Sequence, residues 1–475
     1  MHTHDTAEIL AEFAYKLKYE DIPPEVIETT ELFMADYYAA AMAGIMINKD
    51  FNEAIFDIVK GKGQSPEADV IGSDIKLSAE DAAFMNAVYA HGADMDDGNR
   101  KAMGHVAAHV MSAVFALAEA EGKSIKDVFT AVNVGYEVYN RVAAMAQPGL
   151  VHRGFHSTGT AGVIACAAAS AKLLGLDAQG IYNAMGIAAI QASGLIIIAE
   201  SGQANKPLNP ANAAKNGIVS AKLAKAGIKG PRRPLESEKG WFHAMTDSVD
   251  YGFLDDLGKK FTITESYLKP YPSCRHTHCG IEAAIGIHEE MENAGLTPSD
   301  IKEVNLYIYS NAIKIAGQIE IPESTEDAKF SIHYSLACAL LKGAFGLEDI
   351  RVSFASYTGE EAEKGGSEGF IGNVIKLIKK IKLIPDPSME DVQKGIRGSR
   401  LAVSFNNGRT FEKTVLLPKG DTANPFTWDD MHRKLFESMS HNAGRTDEVL
   451  SGIRALSENP DELWKGFKDS SLRSE

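Results

Sequence analysis

At 475 residues the chain is long enough for more than one hydrophobic core, and 45% hydrophobic with 24% charged residues is an ordinary globular composition. A formal net charge of −16 argues against non-specific binding to nucleic acid or anionic membranes, so cations that hold an anionic substrate would have to be gathered locally. Four scattered cysteines (Cys166, Cys274, Cys279 and Cys338) argue against a disulfide framework or a multi-cysteine zinc site.

The stretch Met1–Glu8 has neither the basic nor the apolar region of a signal peptide, and the apolar run Leu195–Ala199 is too short to span a bilayer. The expected compartment is the cytoplasm. Up to about residue 262 the pattern is helical and rich in small residues. Pro23-Pro24 marks a helix start, where a missing N–H does no harm. Ser78-Ala-Glu-Asp81 reads as a capping box opening a helix to about Ala93. Ser157 or Thr158 can cap Gly162–Leu174; Gly175 stops that helix and Asp177 caps the next. Asn209-Pro210 opens another, with Lys222 and Lys225 in its last turn.

The texture then changes. Val304, Leu306 and Ile308 alternate with polar neighbours, the period of a half-buried strand. Leu401–Phe405 and Thr410–Leu417 flank Asn406-Asn407-Gly408-Arg409, a hairpin turn signal. Helix-like stretches fall at about Ala328–Lys342 and Gly369–Lys379. After a polar linker, Thr427-Trp-Asp-Asp430 opens a final helix. The expected fold is mainly α, with an α+β domain at 266–418 inserted between helical segments 1–265 and 419–475.

Five clusters could carry chemistry. His91-Gly-Ala-Asp94-Met-Asp96-Asp97-Gly98-Asn99-Arg100, followed by His105 and His109, puts a carboxylate beside imidazoles; His91 and Asp94 are three apart, so they should share a helix face. A solvated, capping loop is the plainer alternative. His156 stands before a helix start, where free N–H groups favour an anion, or it simply packs there. Lys206 in Asn205-Lys206-Pro207 could aim an ammonium at that anion, or be solvated. In Lys269-Pro-Tyr-Pro-Ser-Cys274-Arg275-His276-Thr-His278-Cys279, Lys269 and Arg275 could clamp a carboxylate, or the cysteines and histidines could bind zinc. Tyr334 could donate a proton or fill a core. No P-loop or strand-linked GxGxxG is present, which speaks against a nucleotide cofactor.

The stretches HGADMDDGNRKAMGH at 91–105, GFHSTGTAG at 154–162, NKPLNPANAAKNG at 205–217, YLKPYPSCRHTH at 267–278 and KFSIHYSLACAL at 329–340 resemble, in order, the MmgE/PrpD family. The resemblance implies a helical body with an α+β lid and a site in the cleft between them, a homodimer, and no required cofactor or metal. It places the catalytic positions on Asp94, His105, His156, Lys206, Lys269 and Tyr334; Arg100, Cys274, Arg275 and His276 are the expected substrate contacts. Three departures weigh against itaconate formation: Gly98 where the family's cis-aconitate decarboxylases have threonine, Val106 where proline is common in the family, and Cys274 where those decarboxylases have histidine.

The expected activity is acid–base chemistry on a small di- or tricarboxylate. Lysines bind carboxylates, His105 or His156 moves a proton, Asp94 orients an imidazole, and Tyr334 protonates a leaving group. A 2-methylcitrate dehydratase-like hydro-lyase leads. An iminodisuccinate-type epimerase and a cis-aconitate-type decarboxylase are the alternatives, with a zinc hydrolase or a non-catalytic carboxylate binder as outside readings.

Overall fold

The computed structural model describes residues 5–61, 65–199, 203–352, 354, 369–391, 395–439 and 442–467, with no side chains for 198 and 199. The chain forms two compact units, residues 1–268 with 427–475 and residues 269–426.

The first unit is built of helices. Those that carry the site are α1 (Pro24–Met46), α2 (Ala79–Gly92), α3 (Ala107–Ala120), α4 (Ile125–Met145), α5 (Gly162–Leu173), α6 (Ala178–Ala189) and α7 (Leu208–Lys225). Ser78 accepts the Asp81 N–H and Asp177 accepts the Gly180 N–H, so both helices start where cap chemistry places them. Asp81 does not complete a capping box; its carboxylate takes Lys215 at 2.5 Å instead. Small residues let the axes approach. A Cβ on Gly44 of α1 would lie 1.8 Å from the Tyr89 carbonyl oxygen of α2, and one on Gly217 of α7 would lie 2.2 Å from the Cys166 Cβ of α5. Any larger residue would push α1 off α2, whose C-terminal end supports the site.

In the second unit, α8 (His278–Asn293) and α9 (Ile332–Lys342) accompany a four-stranded sheet of β1 (Ile301–Ile308), β2 (Ile381–Pro385), β3 (Ser399–Phe405) and β4 (Thr410–Val415). The strand order is β2-β1-β3-β4; β1 pairs with β2 in parallel and with β3 antiparallel. Register places Val304 opposite Val403 and Leu306 opposite Leu401, all buried, so one face of the sheet is core. The helical stretch expected at 328–342 is broken. Thr325–Lys329 ends, and Ser331 restarts the helix by accepting the Tyr334 N–H.

The boundaries also move. Tyr267 exchanges backbone hydrogen bonds with Gly98, which keeps it in the first unit. The return to that unit comes at Thr427 rather than 419. Arg275 donates to the carbonyls of Pro418 and Lys419, and Glu282 accepts the Lys419 N–H, tying 418–419 to the second unit. Thr427 and Asp430 form the capping box that opens α10 (Trp428–Ser438), which packs on α1. It is not the final helix: α11 (Thr446–Arg454) follows. Among the described residues no helix is long and apolar enough to cross a membrane.

Candidate active site

The loop after α2 organises the first unit's polar centre. Asp94 has φ +51°, a left-handed conformation that is uncommon for a residue with a Cβ, and it turns the chain sharply at the helix end. This turn overrides the expected sharing of a face by His91 and Asp94. His91 Nδ1 instead meets Asp96 Oδ2 at 2.8 Å, both side chains fully buried. Asp94 does not orient His91 but points to Lys206, whose ammonium lies 2.5 Å from Asp94 Oδ1. Lys206 is therefore not a solvated lysine; it is buried just ahead of α7.

His105 is delivered by a tight turn in which Asn99 and Gly104 pair through their backbones. That turn is fastened to the segment before α5, because Ser157 Oγ donates to the Met103 carbonyl and His105 N–H donates to Thr158 Oγ1 at 3.1 Å. The His105 Nδ1 lies 2.7 Å from the Asp97 carbonyl, which can only accept, so Nδ1 carries the proton and Nε2 is left as the basic nitrogen. Nε2 lies 3.9 Å from Asp94 Oδ1, and the His91 and His105 rings meet edge to face at 4.7 Å.

His156 has the opposite tautomer. The Asn209 amide donates to its Nδ1 at 3.0 Å, so Nε2 carries the hydrogen. Burial, then the neighbouring Lys206 ammonium, hold its pKa well below the ordinary histidine value, so it stays neutral. Asn209, not singled out from sequence, is thus a site residue. Its place next to last in the NKPLNP stretch, beside the Pro210 of an expected helix start, was its only signal. Asp97 is an anchor: Oδ1 accepts the N–H groups of Val106 and Ala107 at the start of α3, and Oδ2 accepts the Tyr136 hydroxyl. Burial and then Asp96 push its carboxyl up to about 7. Arg100 is half-buried in the same turn.

Gly98 has its own reason. A Cβ there would sit 2.4 Å from the Tyr267 hydroxyl, so the phenol fills the space that a larger residue 98 would need.

Lys269, Cys274, Arg275, His276 and Tyr334 belong to the second unit. Arg275 donates to the Lys419 carbonyl at 3.1 Å and lies 3.7 Å from Asp421. His276 Nδ1 is hydrogen-bonded to the Tyr309 hydroxyl, and Cys274 gives its N–H to the Lys329 carbonyl. The Tyr334 hydroxyl donates to the Asp349 carbonyl at 2.6 Å inside that unit's core. His278 Nε2 bonds the Ser273 carbonyl and the Cys279 thiol the Arg397 carbonyl, so residues 274–279 do not converge as zinc ligands. Among the described residues, the group whose ligand atoms lie within 4.8 Å of one another is His91, Asp96 and His105. There His91 Nδ1 is hydrogen-bonded to Asp96 Oδ2 and His105 Nδ1 faces the Asp97 carbonyl.

The MmgE/PrpD N-terminal domain model matches residues 8–254, and the MmgE/PrpD C-terminal domain model matches residues 271–455. The cis-aconitate decarboxylase-like protein oryM of Aspergillus oryzae is 27% identical over 96% of this chain and 95% of its own. Cis-aconitate decarboxylase of Aspergillus terreus is 29% identical over 87% of this chain and 85% of its own. The 2-methylcitrate dehydratase of Escherichia coli is 24% identical over 63% of this chain and 60% of its own.

Proposed function

Because the chain belongs to the MmgE/PrpD family, we propose that it is a lyase acting on a citrate- or aconitate-like tricarboxylate, and that loss of water is its reaction. The observation that carries this reading is the placement of the basic Nε2 of His105 beside the buried Asp94–Lys206 pair. Lys206 binds a substrate carboxylate, with Arg100 as a second cation in the adjoining turn. His105 Nε2 takes the proton from the carbon next to that carboxylate, and negative charge develops on the carboxylate oxygens, where the ammonium stabilises it. His156, held neutral, gives its Nε2–H as a hydrogen bond to the same anion. The carbon–oxygen bond to the β-hydroxyl then breaks. The imidazolium at His105, stabilised by Asp94 and by Asp96 at 3.4 Å, returns its proton to the departing hydroxide, giving water and an olefin.

A second reading, loss of CO₂, is favoured by the near full-length match to the decarboxylase-like relative. Incubating the enzyme with 2-methylcitrate and, separately, with cis-aconitate distinguishes them by NMR. Olefin formation from the first supports the hydro-lyase, and CO₂ release from the second supports the decarboxylase. His105→Gln should lower turnover by roughly 10²–10⁴-fold with the fold intact. Wild-type turnover in a folded His105→Gln enzyme would remove the assignment.

A further inference from the structure

A lysine on α10 reaches back 339 residues to the loop that carries Asp94. Lys434 Nζ lies 2.5 Å from Asp36 Oδ1 on α1 and 2.7 Å from the Met95 carbonyl oxygen. Both charged side chains are sealed from solvent, at 2% and 0% exposure. A buried ammonium needs compensation, and Asp36 supplies it. The second acceptor is not needed for charge balance. It is the backbone of the residue between Asp94 and Asp96.

That position has consequences for the site. Asp94 is held at φ +51°, a conformation that a residue with a Cβ rarely adopts and that persists only where its surroundings impose it. One side of Asp94 is fixed by its N–H on the His91 carbonyl. On the other side, the second peptide along, which joins Met95 to Asp96, carries the oxygen that Lys434 grips. Rotation of that peptide would swing the Asp96 carboxylate away from His91, and the compensating turn at Met95 would carry the Asp94 carboxylate away from Lys206.

We propose that Lys434 is a positioning residue for the reaction: by holding the Met95 carbonyl it aims Asp94 at Lys206 and Asp96 at His91. The inference rests on the proposed lyase reading for its kinetic consequence. It does not rest on it for its structural one.

A plain staple between α10 and α1 would use the same ion pair, and two substitutions separate the cases. Asp36→Asn breaks the ion pair and leaves the Met95 contact. Lys434→Met removes both. Should Lys434→Met be too unstable, Asp36→Asn/Lys434→Met removes the buried charges together and restores an uncharged interior. The expected result is a loss of about 10–100-fold in kcat, with little change in KM, in the Lys434 variants, as misplacement of catalytic groups by about 1 Å would give. Asp36→Asn should keep kcat near wild type even though it is destabilised.

Hydrogen exchange without any substrate supplies the second readout: amides of residues 95–97 should lose protection in both Lys434 variants and keep it in Asp36→Asn. Near wild-type kcat and undisturbed 95–97 exchange in a folded Lys434 variant would overturn the proposal, as would an equal kcat loss in Asp36→Asn. Loss of protection at 95–97 in an enzyme that turns over neither 2-methylcitrate nor cis-aconitate would support the positioning contact while refuting the lyase reading.

Discussion

Replacing Lys206 with methionine, which has a similar stem and no charge, leaves the Asp94 carboxylate buried without its ammonium at 2.5 Å. That carboxylate must either remain charged in a poorly solvating site or take up a proton, and the cheaper route sets the cost. From an ordinary carboxyl value, protonation at pH 7 costs about 4 kcal/mol, whereas at pH 5 it costs only about 1.5 kcal/mol. The first figure agrees with the roughly 3–5 kcal/mol seen when one partner of a buried pair is removed. Burial without the ammonium favours the protonated carboxyl in the folded variant, so the deficit should grow as pH climbs from about 4 to 7. Trp241, Trp428 and Trp464 all lie in the helical unit, so tryptophan fluorescence during urea unfolding reads that unit directly. Lys206→Met should be about 3–4 kcal/mol less stable than wild type at pH 7, with less than half that loss at pH 5. Asp94→Asn/Lys206→Met should recover most of it. A loss that is the same at both pH values, or that the double variant does not relieve, would refute the reasoning.

Burial pushes the His109 imidazole down to about 3, so the folded state binds no proton there while the unfolded chain does; stability is lost as pH falls below the ordinary histidine value. His109→Gln should therefore lose less stability than wild type between pH 6.5 and 4.5, by about 2–3 kcal/mol, in urea unfolding curves. Asp97 has the opposite sign. Its carboxyl, raised to about 7, imposes a cost that appears as pH rises from about 4 to 7. Asp97→Asn keeps an acceptor for the Val106 and Ala107 N–H groups, so going from pH 5 to pH 8 should lower its unfolding midpoint less than that of wild type. Gly98→Thr should lower stability by about 1–3 kcal/mol through collision with the Tyr267 phenol. Adding Tyr267→Ala should relieve that loss, as thermal unfolding of the two variants would show.

Local chemistry made much of the fold legible. Ser78 and Asp177 announce helix starts through a hydrogen bond made within three residues, and the 304/306/308 alternation announces a half-buried strand. Strand β2 was not legible, because it is five residues long and pairs in parallel with β1 from far along the chain. The break at Ser331 hid for a different reason: apolar periodicity continues across it while the hydroxyl of Ser331 reaches the Ile319 carbonyl. In the site, the residue types at Asp94, His105, His156 and Lys206 were readable, and the structure brings these four together. Their pairing was not. Spacing on a helix puts His91 with Asp94, but the left-handed turn at Asp94 hands His91 to Asp96 and Asp94 to Lys206. Asn209 and Lys434 act through contacts that no local window contains.

Proton transfer at carbon is the core of the account, and deuterium reports it without a coupled assay. Wild-type enzyme, His105→Gln and His109→Gln would each be incubated in D₂O with 2-methylcitrate and with cis-aconitate, and the C–H signals followed by NMR. Deuterium should enter the substrate or product with wild type and with His109→Gln, and incorporation should fall by roughly 10²–10⁴-fold in His105→Gln. Undiminished incorporation in a folded His105→Gln enzyme, or none by the wild type with either acid, would contradict it.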